Sequence, residues 1–483
     1  MPAADHQLTR MAWLGLAGAL TALVALAYGG VATSFFLADD FNVLAVVHAA
    51  RTVREGTAVD SGWEYFRPLT ALSFWANLHW FGLESATGFH VFGLLWHTAN
   101  ALLVARFALR FASGAVGAAL AAATFAVLPI HPEAVTWISA RADVLCATGT
   151  LLLWTGLVDF ARGVRGASAV LEAVVGFAFA LATKDSAMIL PVPCLVLAVA
   201  CRARPWPHLL AAIAGIGALL GVYLAVRIGV LGGFVGAQST DQAHHLRLDP
   251  GNAVAFARDA TLAMLLPGGV GPRGGGFLLA VATLLACHRR PGALVRVAWP
   301  LALVFLIQLG PVANVAQLNL ADGTNGRFLY MPALAFCSGL GTLLGTAWQV
   351  GAAGRRRVLS VTAAALVALC TVATRSANRP WAEAGQISAR IVDQLRAFTR
   401  DPRYHWVFIH GLPDTHRGAY VFRNGIENAI KLFVRADLVF PPHGRLDRKA
   451  WDESAAQRRA DPTAHPECLL VRWDHVARRL VEP

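Results

Sequence analysis

A chain of 483 residues that is 56% hydrophobic and 14% charged, with a mean hydropathy of +0.52, is too apolar for an ordinary soluble globule, and a membrane is its natural solvent. The formal charge of +12 does not point to nucleic acid, because the basic residues, nearly all Arg, punctuate apolar runs instead of gathering on one arm or face. Seven cysteines, mostly inside apolar runs and without a CxxC pair, imply neither a disulfide framework nor a zinc site.

A bilayer span needs roughly 20 apolar residues. In chain order, spans are predicted at about 11–36, 88–110, 115–131, 143–161, 167–183, 186–201, 207–230, 274–288, 294–315, 328–350 and 358–375, about eleven in all. The first follows Arg10 and precedes Asp39-Asp40; it is longer than a signal-peptide core and reads as a retained span. Short basic loops stay in the cytoplasm. Arg106 and Arg110, Arg162 and Arg165, Arg202 and Arg204, residues 288–290 with Arg296, and residues 355–357 all fall on that side if the N-terminus is cytoplasmic. The same count makes 253–266 a re-entrant or interfacial helix. It sends a first outer loop at 37–87, and further loops at 131–141, 184–185, 232–273 and 317–327, to the opposite face.

Beyond Arg375 long apolar runs stop, while charges, His and Pro become frequent. Residues 376–483 are expected to form a small soluble α/β domain, with helices at 381–398 and 421–434, a strand at 404–409, and two strands within 468–481 around Asp474-His475. The predicted fold class is thus a polytopic α-helical membrane protein of the inner (plasma) membrane. Its transmembrane part is 1–375 and its C-terminal domain is extracytoplasmic, or periplasmic.

The outer loops carry the unusual residues. Asp39 and Asp40 are two adjacent carboxylates at a membrane edge, suited to taking a proton from a hydroxyl or to holding a divalent cation with one of them, and burial beside a like charge raises one of their pKa values. The plainer alternative is a solvated pair closing a helix. The pieces YFRPL, with Arg67, and HPEAVTWISARAD, with His131, Glu133, Arg141 and Asp143, set an Arg among apolar neighbours where an unpaired charge is expensive. Each Arg either grips a phosphate through two parallel hydrogen bonds or closes an internal salt bridge, such as Arg141 with Glu133 or Asp143. Lys184 and Asp185 either pair with each other or serve a ligand. Arg327, near Tyr330, either joins them or snorkels to the headgroups. His97, one turn from Asn100, reads as hydrogen-bonded packing, and His244-His245 lack an identifiable third metal ligand.

These pieces form an ordered series: DDF after the first span, YFRPLT, GFHVFGLLWHTANALLV, LPIHPEAVTWISARADVLC, ATKDSA and NGRFLYMP. In order and spacing the series resembles the transmembrane TPR-repeat-containing O-mannosyltransferases, members of the GT-C superfamily together with the protein O-mannosyltransferases. The resemblance covers roughly residues 30–350. It implies a polyprenyl-phosphate-linked sugar as donor and Asp39 or Asp40 as base. It also implies Arg67, Arg141, Lys184 and Arg327 as cations for the leaving lipid phosphate, with His131, Glu133, Asp143, Asp185 and Tyr330 completing the substrate site. The α/β tail stands where those relatives carry a TPR array, so the acceptor stays open among a glycan, a lipid and a protein. The competing class is a transporter or flippase of a lipid-linked saccharide. Transporters carry related halves and ionisable groups at mid-membrane depth, whereas here the charges gather at one face.

Overall fold

In lipid every peptide group must find its partner within the chain, so apolar runs become helices. The computed structural model describes residues 8–57, 65–111, 113–232, 249–266, 272–287, 291–313, 317–319, 322–461, 463 and 465–483. His244-His245 and the basic stretch 288–290 lie outside the described residues. The helices are α1 (Arg10–Tyr28), α2 (Asp39–Ala49), α3 (Val53–Thr57), α4 (Pro68–Phe81), α5 (Thr87–Ala108), α6 (Gly114–Ala126), α7 (Pro132–Thr136), α8 (Arg141–Ala161), α9 (Ala167–Thr183), α10 (Pro191–Ala200), α11 (Trp206–Leu231), α12 (Pro250–Leu265), α13 (Pro272–Ala286), α14 (Pro291–Leu309), α15 (Tyr330–Gln349), α16 (Ala353–Ala377) and α17 (Arg379–Phe398). Among the described residues six helical stretches are long and apolar enough to cross a membrane: Arg10–Val31, Thr87–Phe111, Ile138–Ala161, Trp206–Leu231, Gly326–Gln349 and Ala353–Phe398. The chain is a mostly helical, multi-pass membrane protein.

Several boundaries differ from the apolar runs for local reasons. α1 stops at Tyr28, where Gly29 and Gly30 open a 3-10 turn to Val31, and an irregular stretch leads to α2. The stretch 37–87, expected as a loop, is largely helical: α2, α3 and α4 lie in it. α10 starts only at Pro191, behind a 3-10 turn at Asp185–Ile189, because a proline lacking its N–H fits the first turn of a helix and not its interior. Close packing of the bundle depends on small residues. A Cβ on Gly149 of α8 would meet the Gly176 carbonyl oxygen of α9 at 2.5 Å. One on Gly341 of α15 would meet the Gly117 oxygen of α6 at 2.4 Å.

α16 runs through Asn378 into α17 and on to a tail with strands β1 (Trp406–His410), β2 (Thr415–His416), β3 (Ala419–Tyr420), β4 (Arg445–Leu446), β5 (Cys468–Asp474) and β6 (Arg479–Val481). The sheet order is β4-β1-β5-β6, with β1 parallel to both β4 and β5 and β6 antiparallel to β5; β2 and β3 form a separate hairpin. The helix expected at 421–434 is shorter: α18 (Ile426–Ala429) continues as a π turn to Val434, and Gly425 takes a left-handed conformation before it. α19 (Arg448–Ala460) was not expected; it buries only Trp451 and Ala455, too few apolar residues to show a period.

The tail is seated on the bundle. Asn378 accepts from Thr136 Oγ1 at 2.7 Å and donates to Ala27 O at 3.1 Å, while Ser388 donates to Phe36 O at 2.8 Å. Phe433 sits with Phe35, Phe36 and Phe41, its centroid 5.2 to 5.8 Å from theirs.

Candidate functional site

α8 gives the bundle its polarity. Arg141 and Asp143 lie at its N-terminal end and Asp159 near its C-terminal end, and at 1.5 Å per residue these ends stand about 27 Å apart, close to a hydrocarbon thickness. Around Asp159 the charges neutralise one another. Arg110 donates to both its oxygens at 2.7 and 2.9 Å and Arg165 adds a third bond at 3.0 Å, while Arg106 and Arg165 both hold Glu172. The predicted site residues all belong to the opposite end.

There the turn before α2 is held by its own carboxylate. Asp40 is 1% exposed. It accepts from Leu37 N at 2.9 Å, Ser139 N at 2.7 Å and Ser139 Oγ at 2.6 Å. Burial pushes its pKa up to about 7, against the opposing effect of those three donors. Asp39, by contrast, is only partly buried and accepts from Asn424 of the tail. Asp40 has its oxygens committed to N–H and O–H donors, so of the two carboxylates Asp39 is the one left open to a further partner.

Three cations approach one another beside this turn. Lys184 pairs with Asp143 across the start of α8. Arg67 Nε holds Asp185 at 2.9 Å. Arg327 Nη1 holds Glu133 at 3.0 Å and lies 4.8 Å over the Trp137 ring, whose indole donates to Leu37 O at 3.4 Å. Lys184 feels the charges of both Arg67 and Arg327. Glu133 has its pKa raised by burial and partly brought back by Arg327, and Tyr420 Oη donates to it at 3.4 Å.

Lys184 and Asp185 therefore do not pair with each other: Lys184 holds Asp143 and Asp185 is held by Arg67. The sequence reading missed Arg227, in the last turns of α11. Its Nη2 is 3.2 Å from Asp185, its side chain is 8% exposed, and Nε and Nη1 have no hydrogen-bond partner among the described residues. Its place close to the end of an apolar run was the available signal.

Arg141 forms neither of the internal salt bridges considered for it. It donates to Asn77 Oδ1 at 2.6 Å, lies 4.0 Å over the Phe74 ring, leaves Nη2 unpartnered, and has no carboxylate within ion-pair distance among the described residues. Ser139 links its loop to Asp40, whose charge it feels. His131 and Tyr330 are built into the core instead. Their rings lie 4.6 Å apart, and Tyr330 Oη bonds His97 Nδ1 at 2.7 Å and accepts from Asn100 at 3.2 Å. His97 is hydrogen-bonded packing, as its position in a helix implied. Cavities of about 570 Å³ beside His48 and His79, and of about 440 Å³ beside His416 and His475, are lined neither by Asp40 nor by these cations.

No family model matches the chain. An alignment over 104 residues, covering 19% of this chain and 14% of the relative's length, is 36% identical to human protein O-mannosyl-transferase TMTC4. The fold as a whole is similar to that of ArnT from Cupriavidus metallidurans. The apo crystal structure gives a TM-score of 0.54 at 12% identity, covering 94% of this chain and 88% of that one. The crystal structure of ArnT bound to undecaprenyl phosphate gives 0.52 at 12%, covering 96% and 90%. At 12% identity the likeness to ArnT is one of fold.

Proposed function

We propose that the chain is a membrane glycosyltransferase that moves a sugar from a polyprenyl-phosphate donor to an extracytoplasmic acceptor, whether glycan, lipid or protein. In this reading residues 1–375 cross the membrane about eleven times, with the N-terminus cytoplasmic, and residues 376–483 lie outside. The five shorter apolar helices, Gly114–Ala126, Ala167–Thr183, Pro191–Ala200, Arg273–Ala286 and Ala298–Val312, complete the spans. The neutralised basic cluster around Asp159 marks the cytoplasmic end.

The observation that carries the proposal is a local excess of positive charge around Asp185, where two guanidinium groups meet one carboxylate. Arg67 and Arg227 share the single carboxylate of Asp185, and two Arg227 nitrogens have no partner among the described residues. A buried cation without full compensation is costly, and a lipid-borne phosphate is an anion that reaches this depth. Arg67, Lys184, Arg227 and Arg327 would hold that phosphate. Asp39 would act as base, since Asp40 is buried and spent on Leu37 and Ser139; Asp40 would then hold the turn in place. The acceptor hydroxyl gives its proton to Asp39 as its oxygen bonds to C1 of the sugar. The bond from C1 to the phosphate oxygen breaks, and the charge gained by the leaving phosphate falls among the cations.

The test has two arms. Native mass spectrometry of the full chain with undecaprenyl phosphate, against undecaprenol as control, is expected to detect phosphate-dependent binding that Arg227→Ala weakens about tenfold. Mass spectrometry of surface glycans and glycoproteins is expected to find a sugar missing from cells lacking the chain, and not restored by Asp39→Asn. A glycan profile unchanged by the deletion, with altered sidedness of a lipid-linked saccharide, would overturn the transferase in favour of transport.

A further inference from the structure

The tail does more than cover the bundle; it is bonded to the first turn of α2. Ala38 N donates to Val421 O at 2.9 Å, which holds Ala38 at its unusual φ of 44°. Gly425, at φ 81°, passes so close that a Cβ there would stand 2.4 Å from Ala38 O. Phe422 stacks on Phe41 with centroids 5.5 Å apart, and Asn428 donates to Asn42 Oδ1 at 2.9 Å. These four contacts hold the segment 421–428 against α2, beside the tail's other bonds to the bundle. A further one, from Asn424 Nδ2 to Asp39 Oδ1, is solvent-exposed and adds little to docking, yet it falls on the carboxylate assigned as base.

We propose that Asn424 is a positioning residue for Asp39: its amide takes one carboxylate oxygen and aims the other at the acceptor hydroxyl, so that the tail forms part of the transfer site. The inference rests on Asp39 being the base. It gives a reason for a neutral amide at this position. Asp40 adjoins Asp39 on α2, Arg141 is within electrostatic reach of Asp40, and Arg423 of the tail has its guanidinium carbon 5.5 Å from the Tyr420 ring centroid. The other charged side chains on the tail segment, Glu427 and Lys431, pair with each other at 2.6 Å. A second carboxylate at 424 would disfavour the ionised form of Asp39, and an amide does not.

Because the site is outside, the pH of the medium titrates it in living cells. Full-length variants are expressed at matched membrane levels in cells lacking the chain, and the glycan that disappears in those cells is quantified by mass spectrometry after growth at about pH 6 and about pH 8. Asn424→Asp is expected to form about fivefold less of it than the parent chain at the higher pH, where both carboxylates are ionised and the donated bond is missing, and about tenfold less at the lower, where a proton held between the two carboxylates also occupies the base. Asn424→Ala is expected to lose about fivefold at both, through positioning alone. Asn428→Ala breaks a docking bond of the same segment and is expected to show the parent's pH dependence.

A pH response of Asn424→Asp equal to the parent's, or an equal change in Asn428→Ala, overturns the positioning role. Asp39→Asn separates the two readings. If it keeps forming the glycan, the base assignment fails; if it is inactive while Asn424→Asp titrates like the parent, only the role of Asn424 fails.

Discussion

Lys184→Met separates the two duties assigned to Lys184. Lys184 and Asp143 form an ion pair whose side chains are 11% and 5% exposed. Methionine keeps the aliphatic stem and removes the ammonium, leaving the Asp143 carboxylate buried without its partner. Removing one side of a buried pair costs about 3–5 kcal/mol. The charges of Arg67 and Arg327 are felt at Lys184, which argues for the lower end of that range, about 3 kcal/mol. Replacing both residues, as Asp143→Asn with Lys184→Met, removes both charges of the pair and returns stability to within about 1 kcal/mol of the parent. Binding of undecaprenyl phosphate behaves differently, because the lost cation stays lost: both the single and the double variant bind about tenfold more weakly, or about 1.4 kcal/mol. Stability is read from denaturant unfolding in detergent and binding from native mass spectrometry on the same preparations. A double variant that regains parental lipid-phosphate affinity refutes a ligand role for Lys184. A single variant as stable as the parent refutes the ion pair as a buried one.

Asp40 gives an inverted pH dependence. Its folded pKa of about 7 lies above the ordinary value of 3.8, so its contribution is fully present below about pH 4 and is lost as pH rises through about 7. Unfolding free energy of the parent minus that of Asp40→Asn is expected to fall by roughly 2–4 kcal/mol over this window, and a difference that stays flat or grows with pH would count against the burial described. Gly345→Ala places a Cβ 1.6 Å from Ser113 O, backbone against backbone, so α6 and α15 must part at a cost of about 3 kcal/mol. Gly339→Ala, on the same helix but with nothing within 4 Å, is expected to be neutral or slightly stabilising in the same unfolding assay. Asp159→Asn, which weakens the bonds from Arg110 and Arg165, is expected to cost about 3 kcal/mol; glycan formed per folded molecule should not change, because the site is at the far end of α8.

What the sequence made legible divides along physical lines. Hydropathy marks where helices run, because lipid accepts little else, and among the described residues each predicted span contains a helix. The helices inside 37–87 were hidden because they rest on the bundle and tail and carry no long apolar run. The strand positions at 404–409 and 468–481 were close, but the parallel pairing of β1 with β4 and β5 joins segments far apart in the chain, and no local pattern encodes it. Charged residues at the outer end were readable as a set because each is expensive there. Their pairing was not, since Arg67, Asp185 and Arg227 meet only through the packing of three separate segments. His131 and Tyr330 sat within the right motifs, and their burial in an aromatic cluster follows from tertiary contacts alone.

The two adjacent carboxylates illustrate how one motif divides its labour. Consecutive residues in a first helical turn point in directions about 100° apart, so Asp39 and Asp40 cannot share one environment. Asp40 turns inward and ties Leu37 to Ser139, fixing the α2 turn relative to the loop that carries Arg141. Asp39 turns toward the tail and keeps a half-open carboxylate. A base that must meet an acceptor from outside needs the second environment, and a rigid frame for that base needs the first. Exchanging the two roles would require turning α2 about its axis, which the bonds from Ala38 N to Val421 O and from Asn428 to Asn42 oppose.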